Sequence, residues 1–141
     1  MGRGPDRDRI EQVAAGHPRV ELVGTVSDYV LRERLRETAV LISANETEQF
    51  GISYLEALSQ GCSVVMPACG GGLEIAPDLI GSQVQLAPLP LERATLYAAL
   101  SRALGSARAP IDLTPYSPTA VAAAYLRLDL SRPASRETVS G

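Results

Sequence analysis

The chain has one histidine, His17, two cysteines, Cys62 and Cys69, and no apolar run near the roughly 18 residues that a membrane-spanning helix requires. So few imidazole and thiolate groups exclude a closed zinc site built from them, and two cysteines make no disulfide framework. Both are expected to be reduced thiols that behave as small apolar side chains. No apolar signal segment opens the chain, whose first residues run Met1-Gly-Arg-Gly-Pro-Asp-Arg-Asp8, so a cytoplasmic protein without a transmembrane segment is expected. Excess basic charge is missing too. The formal net charge is -3, which gives no field to attract a phosphate backbone, so nucleic acid is not an expected partner. What is present is ordinary globular composition, 45% hydrophobic and 21% charged over 141 residues, enough for one domain with its own core.

Periodicity and punctuation divide the chain into short elements. Arg9 to Ala15 reads as the end of a helix, with Ile10 and Val13 on one face and Gly16 and Pro18 as its stop signal. Val20 to Val23 alternates and halts at Gly24, which predicts a short strand. Ser27 is placed to cap the next helix, which turns Val30, Leu31 and Leu35 inward and leaves Arg32, Glu33, Arg34, Arg36 and Glu37 as a solvated face. Val40 to Ile42 and Ser63 to Met66 are short apolar runs of the kind that parallel strands covered on both faces present. Val84 to Leu86 predicts a last strand, Leu91 to Leu104 a helix ending at Gly105, and Ser117-Pro118 the start of a helix through Leu128. Residues 129–141, rich in serine and charge, are expected to be a disordered tail. Strands alternating with helices through short loops predict a doubly wound, Rossmann-like parallel sheet, in which ligands bind at the carboxyl ends of the strands.

One stretch stands out, Asn45 to Pro67, which reads NETEQFGISYLEALSQGCSVVMP. It sets Glu48 in the loop after one strand, opens a helix at Phe50-Gly51 and carries Glu56 within that helix, just before the next strand. Free N–H groups at a helix start attract phosphates, and Gly51 allows a ligand close approach. An ionised carboxylate only accepts hydrogen bonds, which suits it to grip sugar or ribose hydroxyls. The apolar side of the helix is expected to consist of Ile52, Leu55 and Leu58, with Glu56 near its edge. A plainer role is also open: Glu48 favouring the helix dipole and Glu56 sitting on a wet face.

The residues Glu48-Gln49-Phe50-Gly51, Leu55-Glu56-Ala57, Gly61 and Ser63-Val64-Val65 resemble the donor-binding signature of the retaining glycosyltransferases of the GT-B fold, family four, also described as glycosyl transferases group 1. Gly2 to Asp6, Val20 to Ser27 and Gly71-Gly72-Leu73-Glu74-Ile75 resemble three further segments of that family in the same order. The resemblance covers residues 2 to 128 and implies a partial C-terminal donor domain, a nucleotide-sugar-binding unit over residues 1–128. It implies that Glu48 is the catalytic-site acid that hydrogen-bonds the donor hexose. Phe50, Gly51 and Ile52 would meet the sugar and diphosphate, and Glu56 would take the ribose hydroxyls. The donor would be a nucleoside diphosphate sugar, with no metal and no separate cofactor. Gln49 stands where the family pattern has glycine, adding bulk beside the sugar. The resemblance also implies a truncated chain that starts after the family's first donor-domain strand and its basic diphosphate ligands, partnered with an N-terminal acceptor domain encoded elsewhere. Two alternatives remain beside glycosyl transfer: a non-catalytic nucleotide-sugar or protein-binding domain, and another nucleotide-dependent enzyme such as a GT-B-type epimerase. A dinucleotide oxidoreductase is disfavoured because Gly2-Arg-Gly-Pro5 lacks the third glycine of that fingerprint.

Overall fold

The computed structural model of the chain describes residues 5–70, 73 and 77–131. Its helices are α1 (Arg7–Ala15), α2 (Asp28–Glu37), α3 (Ile52–Ser59), α4 (Arg93–Gly105) and α5 (Pro118–Ser131). Its strands are β1 (Val40–Ile42), β2 (Ser63–Pro67) and β3 (Val84–Ala87). The three strands form one parallel sheet in the order β1-β2-β3, with Val40 opposite Ser63 and Val64 opposite Val84. Parallel neighbours need a crossover, and α3 supplies the one between β1 and β2.

Two apolar clusters hold the layers together. Leu35 from α2 and Tyr54, Ala57 and Leu58 from α3 pack with Cys62, Val64, Met66 and Val84. On the other side Ala99 and Ala103 of α4 pack with Val65 and Ala87. Val64 and Met66 thus point to one face and Val65 to the other, the two-residue alternation of a strand. With helices on both faces, all five residues of β2 are buried. Each large aliphatic side chain buried this way contributes roughly 1.5–3 kcal/mol, which ordering the chain largely offsets. Helices on both faces of a parallel sheet make the fold α/β and doubly wound, in agreement with the sequence.

Several local expectations are met. Ser27 caps α2 by accepting from the Val30 N–H at 3.4 Å, and Ser117 caps α5 by accepting from the Ala120 N–H at 3.2 Å. Others need correction. Val20 to Val23 forms no strand: among the described residues no strand pairs with it, and an extended segment becomes a strand only where its N–H and C=O groups meet a ladder. Val20 and Leu22 are about half exposed, and Glu21 instead pairs with Arg34 through two 2.9 Å contacts. Of the inward set on α2, Leu35 is buried while Val30 is exposed. The expectation of strands covered on both faces holds for β2 but not for β1, where Ile42 is 45% exposed because β1 is the edge of the described sheet. Helix α5 continues to Ser131, three residues past its expected end at Leu128; residues 132–141, with the rest of the expected tail, lie outside the described residues.

Candidate functional site

The carboxyl ends of β1, β2 and β3 bring three loops together. The loop after β1 carries Asn45 and Glu48 into α3. The loop after β2 carries Cys69 and Gly70 against it, close enough that a Cβ on Gly70 would stand 2.7 Å from the Glu48 carbonyl oxygen. From beyond β3, the Leu91 N–H donates to the Glu46 carboxylate at 3.4 Å.

Gly51 decides where α3 begins. It caps the helix in the left-handed region at φ 65 and ψ 38, a conformation that glycine adopts without strain. The helix therefore starts at Ile52, not at Phe50 as the sequence suggested, and Phe50 stays outside it, 76% exposed. Glu48 folds back over this turn. Its Oε1 accepts from the Gly51 N–H at 2.9 Å and the Phe50 N–H at 3.3 Å, and its Oε2 accepts from the Asn45 side-chain amide at 3.0 Å. Those donors, Gly51 first and Phe50 next, hold the Glu48 carboxyl below the usual carboxylate range. With Phe50 and Gly51 engaged, the Ile52 and Ser53 N–H groups of the first turn have no partner among the described residues.

The faces of α3 also differ from expectation. Tyr54, Ala57 and Leu58 are buried and Leu55 partly so, whereas Ile52 is 66% exposed. Ile52 lies one turn ahead of Glu56, so the two share the outer face rather than Ile52 joining the core. Glu56 lines a groove of about 370 Å³ between α2 and α3, with Leu31, Leu35 and Leu113 as apolar lining and Asp28, Arg32 and Gln60 as polar lining. The Glu56 carboxylate has no hydrogen-bond or ionic partner among the described residues, so it is free to accept. The two glutamates thus lie along one element, Glu48 fastened across its start and Glu56 open over the groove.

Beneath the Glu48 loop sits Tyr54, 1% exposed, whose hydroxyl makes no hydrogen bond. The Ser43 hydroxyl is the polar group beside it and opposes in part the effect of burial on its ionisation. Burial raises the Tyr54 ionisation above the ordinary tyrosine value, and the neighbouring Glu48 and Cys69 raise it further. Cys69 is half-buried and points its thiol at the Asn45 carbonyl at 3.9 Å, while Cys62 is fully buried and donates to the Leu35 carbonyl at 3.1 Å. Both thiols are free, as expected. Among the described residues no group of three or more His, Cys, Asp or Glu side chains is placed to hold a metal ion, and no helix is long and apolar enough to cross a membrane. Gly71, Gly72, Glu74 and Ile75 of the glycine-rich segment lie outside the described residues, as do Gly2, Arg3 and Gly4.

The amino-acid sequence matches known proteins. Residues 1–106 match the family of glycosyl transferases group 1. The chain belongs to that family. Among curated proteins, this group 1 chain is 35% identical over 80 residues to a phosphatidylinositol N-acetylglucosaminyltransferase subunit of Arabidopsis thaliana. It is 32% identical over 78 residues to sulfoquinovosyl transferase SQD2 of the same plant. Each match covers 55% of this chain but only 18% and 15% of those relatives' lengths. No solved structure gives a significant match.

Sequence reasoning did not single out Asn45 or Tyr54 in this group 1 chain, nor Asp28 and Arg32 as neighbours of Glu56, but it did read Gly70 as the start of a glycine-rich loop at the carboxyl end of a strand. For Gly70 a signal existed in its run of glycines. For Asn45 there was none, since its role depends on how the loop folds.

Proposed function

We propose that this chain is the donor-binding part of a retaining glycosyltransferase, which binds a nucleoside diphosphate sugar for transfer of its hexose to an acceptor held by a separate domain. The observation that carries the reading is the pairing along α3 of a carboxylate held over the sheet's carboxyl edge, Glu48, with an unpartnered carboxylate, Glu56, over a half-apolar groove. In this reading Glu56 accepts from the ribose hydroxyls. The unpaired Ile52 and Ser53 N–H groups, beside Phe50 and Gly51, face the diphosphate, and Glu48 accepts from the hexose. Transfer of a glycosyl group leaves negative charge on the departing diphosphate, and donors aimed at that charge carry much of such catalysis.

A second reading has an observation of its own. Glu48 already satisfies three donors without ligand, so its role would be to staple the loop, in a domain that binds a nucleotide sugar without turning it over. Titration calorimetry with uridine and guanosine diphosphates and their hexose-linked forms separates the cases. Glu56→Ala is expected to weaken free nucleotide and donor alike by about 10–100-fold, the loss of hydrogen bonds to a charged group, with circular dichroism unchanged. Glu48→Gln keeps the Gly51 and Phe50 contacts through its amide oxygen, loses only the one from the Asn45 amide, and is expected to weaken the hexose-linked form alone. Wild-type protein that binds none of these ligands would refute the nucleotide-sugar reading. Donor hydrolysis or transfer by the chain mixed with an acceptor domain would distinguish the transferase from the non-catalytic module.

A further inference from the structure

Helix α2 carries three arginines, and two of them are engaged with other side chains. Arg34 reaches both carboxylate oxygens of Glu21 at 2.9 Å, and Arg36 bonds the Glu33 carboxylate at 2.6 Å and the Gln60 side-chain oxygen at 3.1 Å. Arg32 differs. An acid four residues away on a helix is a ready ionic partner, yet among the described residues Arg32 pairs neither with Asp28 nor with Glu56, which line the same groove. Its Nε instead donates to the Asp28 carbonyl oxygen at 3.3 Å, within its own helix. A guanidinium has five N–H donors in one plane, so that bond steadies the group while most of its donors and its flat face stay unspent.

What the groove can hold follows from the groups around it. Asp28, Leu31, Arg32 and Leu35 stand at the spacing of one helix face, and Leu113 lines the groove with them. A phosphate placed there would meet the carboxylates of Asp28 and Glu56 as well as Arg32, two like charges against one opposite. A neutral flat ring escapes that penalty. Its surface can rest on the leucines, and a guanidinium stacks on aromatic faces. Connectivity points the same way. With the diphosphate at the Ile52 and Ser53 N–H groups, the ribose at Glu56 lies three or four residues further along α3, about 4.5–6 Å away at the rise of a helix. The base leaves the ribose on the side away from the phosphates and so continues into the groove.

Resting on the nucleotide-sugar reading above, we propose that Arg32 is a base-binding residue, which stacks its guanidinium plane on the nucleotide's ring over the leucine lining, and that it is not a phosphate ligand. A stack grips the face of a base and leaves its edge unread. Every base has such a face, so uridine and guanosine diphosphates should both be accepted.

The test uses the full chain, titration calorimetry, both of those nucleotides, and 5,6-dihydrouridine diphosphate, whose base keeps its polar edge atoms but has lost the flat aromatic ring. Wild type is expected to bind uridine diphosphate about two- to fivefold more tightly than the dihydro form, the range for a cation on an exposed aromatic face. Arg32→Ala is expected to weaken uridine diphosphate by a similar factor and leave the dihydro form nearly unchanged, so that the preference disappears. Arg32→Lys keeps the charge without the plane and is expected to restore little of it. Arg32 is exposed, and both variants are expected to keep the wild-type circular dichroism. A phosphate contact gives another pattern, in which Arg32→Ala weakens both ligands by one factor and Arg32→Lys recovers both; that pattern overturns the proposal. So does an Arg32→Ala protein that binds uridine diphosphate as wild type does, or a wild type that does not distinguish the dihydro form. A wild type that binds only one of the uridine and guanosine nucleotides reads the base edge, and overturns it as well. Each of these results leaves the nucleotide-sugar reading standing, because a nucleotide still binds. A wild type that binds no nucleotide overturns that reading and the role of Arg32 together.

Discussion

Gly70→Ala tests the close approach that locks the Glu48 loop. Two costs add at this position. Gly70 sits at φ +37, in the region that an L side chain enters at about 1–2 kcal/mol. The new Cβ would also meet the Glu48 carbonyl oxygen at 2.7 Å, well inside ordinary van der Waals contact, and because that atom is backbone the loop itself must give way. Overpacking of this kind costs about 1–3 kcal/mol, so the sum is about 2–5 kcal/mol. At a urea slope of about 2 kcal/mol per molar, within the usual range of about 1–3, that is a fall of about 1–2.5 M in the unfolding midpoint, read by circular dichroism. Gly24→Ala is the internal comparison. Gly24 has φ +68 but nothing within 4 Å of its built Cβ, so it carries the conformational cost without the clash and should lose only about 1–2 kcal/mol. If Gly70→Ala is no more destabilising than Gly24→Ala, the contact between the loops after β1 and β2 is not what the geometry says. A properly folded Gly70→Ala protein that keeps full donor selectivity would refute the claim that this contact holds Glu48 in place.

Two further outcomes follow from the site's chemistry. In native protein Cys69 should react with a thiol reagent within minutes while Cys62, fully buried and with its ionisation raised mainly by burial, is protected; denaturant should expose the second thiol, and rapid labelling of both in native conditions would contradict the packing of α2 on β2. Glu48 has its carboxyl pKa lowered in the fold, so its contribution to stability is complete above the ordinary value of 4.5 and fades as acid titrates it below that; a Glu48→Gln protein should therefore lose less stability than wild type between pH 5 and pH 3, and parallel acid profiles would show that the Gly51 and Phe50 N–H bonds carry no linkage.

How much of this was legible in the sequence differs by residue, for physical reasons. The run Ser63 to Met66 was readable because a strand covered on both faces needs apolar residues at every position, and that need is local. Ser27 and Ser117 were readable because a cap acts on N–H groups two or three residues away. Val20 to Val23 alternates as a strand does, yet strand formation is a property of a pair, and the partner is not written in the segment. Ile52 was misassigned because the apolar face was drawn through Ile52, Leu55 and Leu58, whereas the buried face centres on Tyr54, Ala57 and Leu58, and at about 100° per residue that turns Ile52 away from the core. Asn45 lay inside the stretch that drew attention and still carried no signal. An asparagine in a loop is common, and only the folded loop shows that its amide meets a carboxylate three residues ahead.

The placement of charge around α3 constrains how a diphosphate can be held. A helix start attracts anions through its free N–H groups and dipole, but here Glu48 is already there, engaging Phe50 and Gly51 and setting its own negative charge against the same end. That leaves two N–H groups, Ile52 and Ser53, for a ligand that carries more than one negative charge, with Glu46 and Glu48 in the same loop. Among the described residues Arg32 is the one cation lining the groove beside Glu56, and its Nε already donates to the Asp28 carbonyl at 3.3 Å. The local field therefore favours the neutral parts of a nucleotide sugar, its ribose and hexose hydroxyls, over its phosphates. Affinity of this chain for a nucleoside diphosphate should rest on carboxylate-to-hydroxyl bonds, and so depend weakly on salt. A steep fall in affinity between 50 and 300 mM salt would mean that cations outside the described site hold the phosphates.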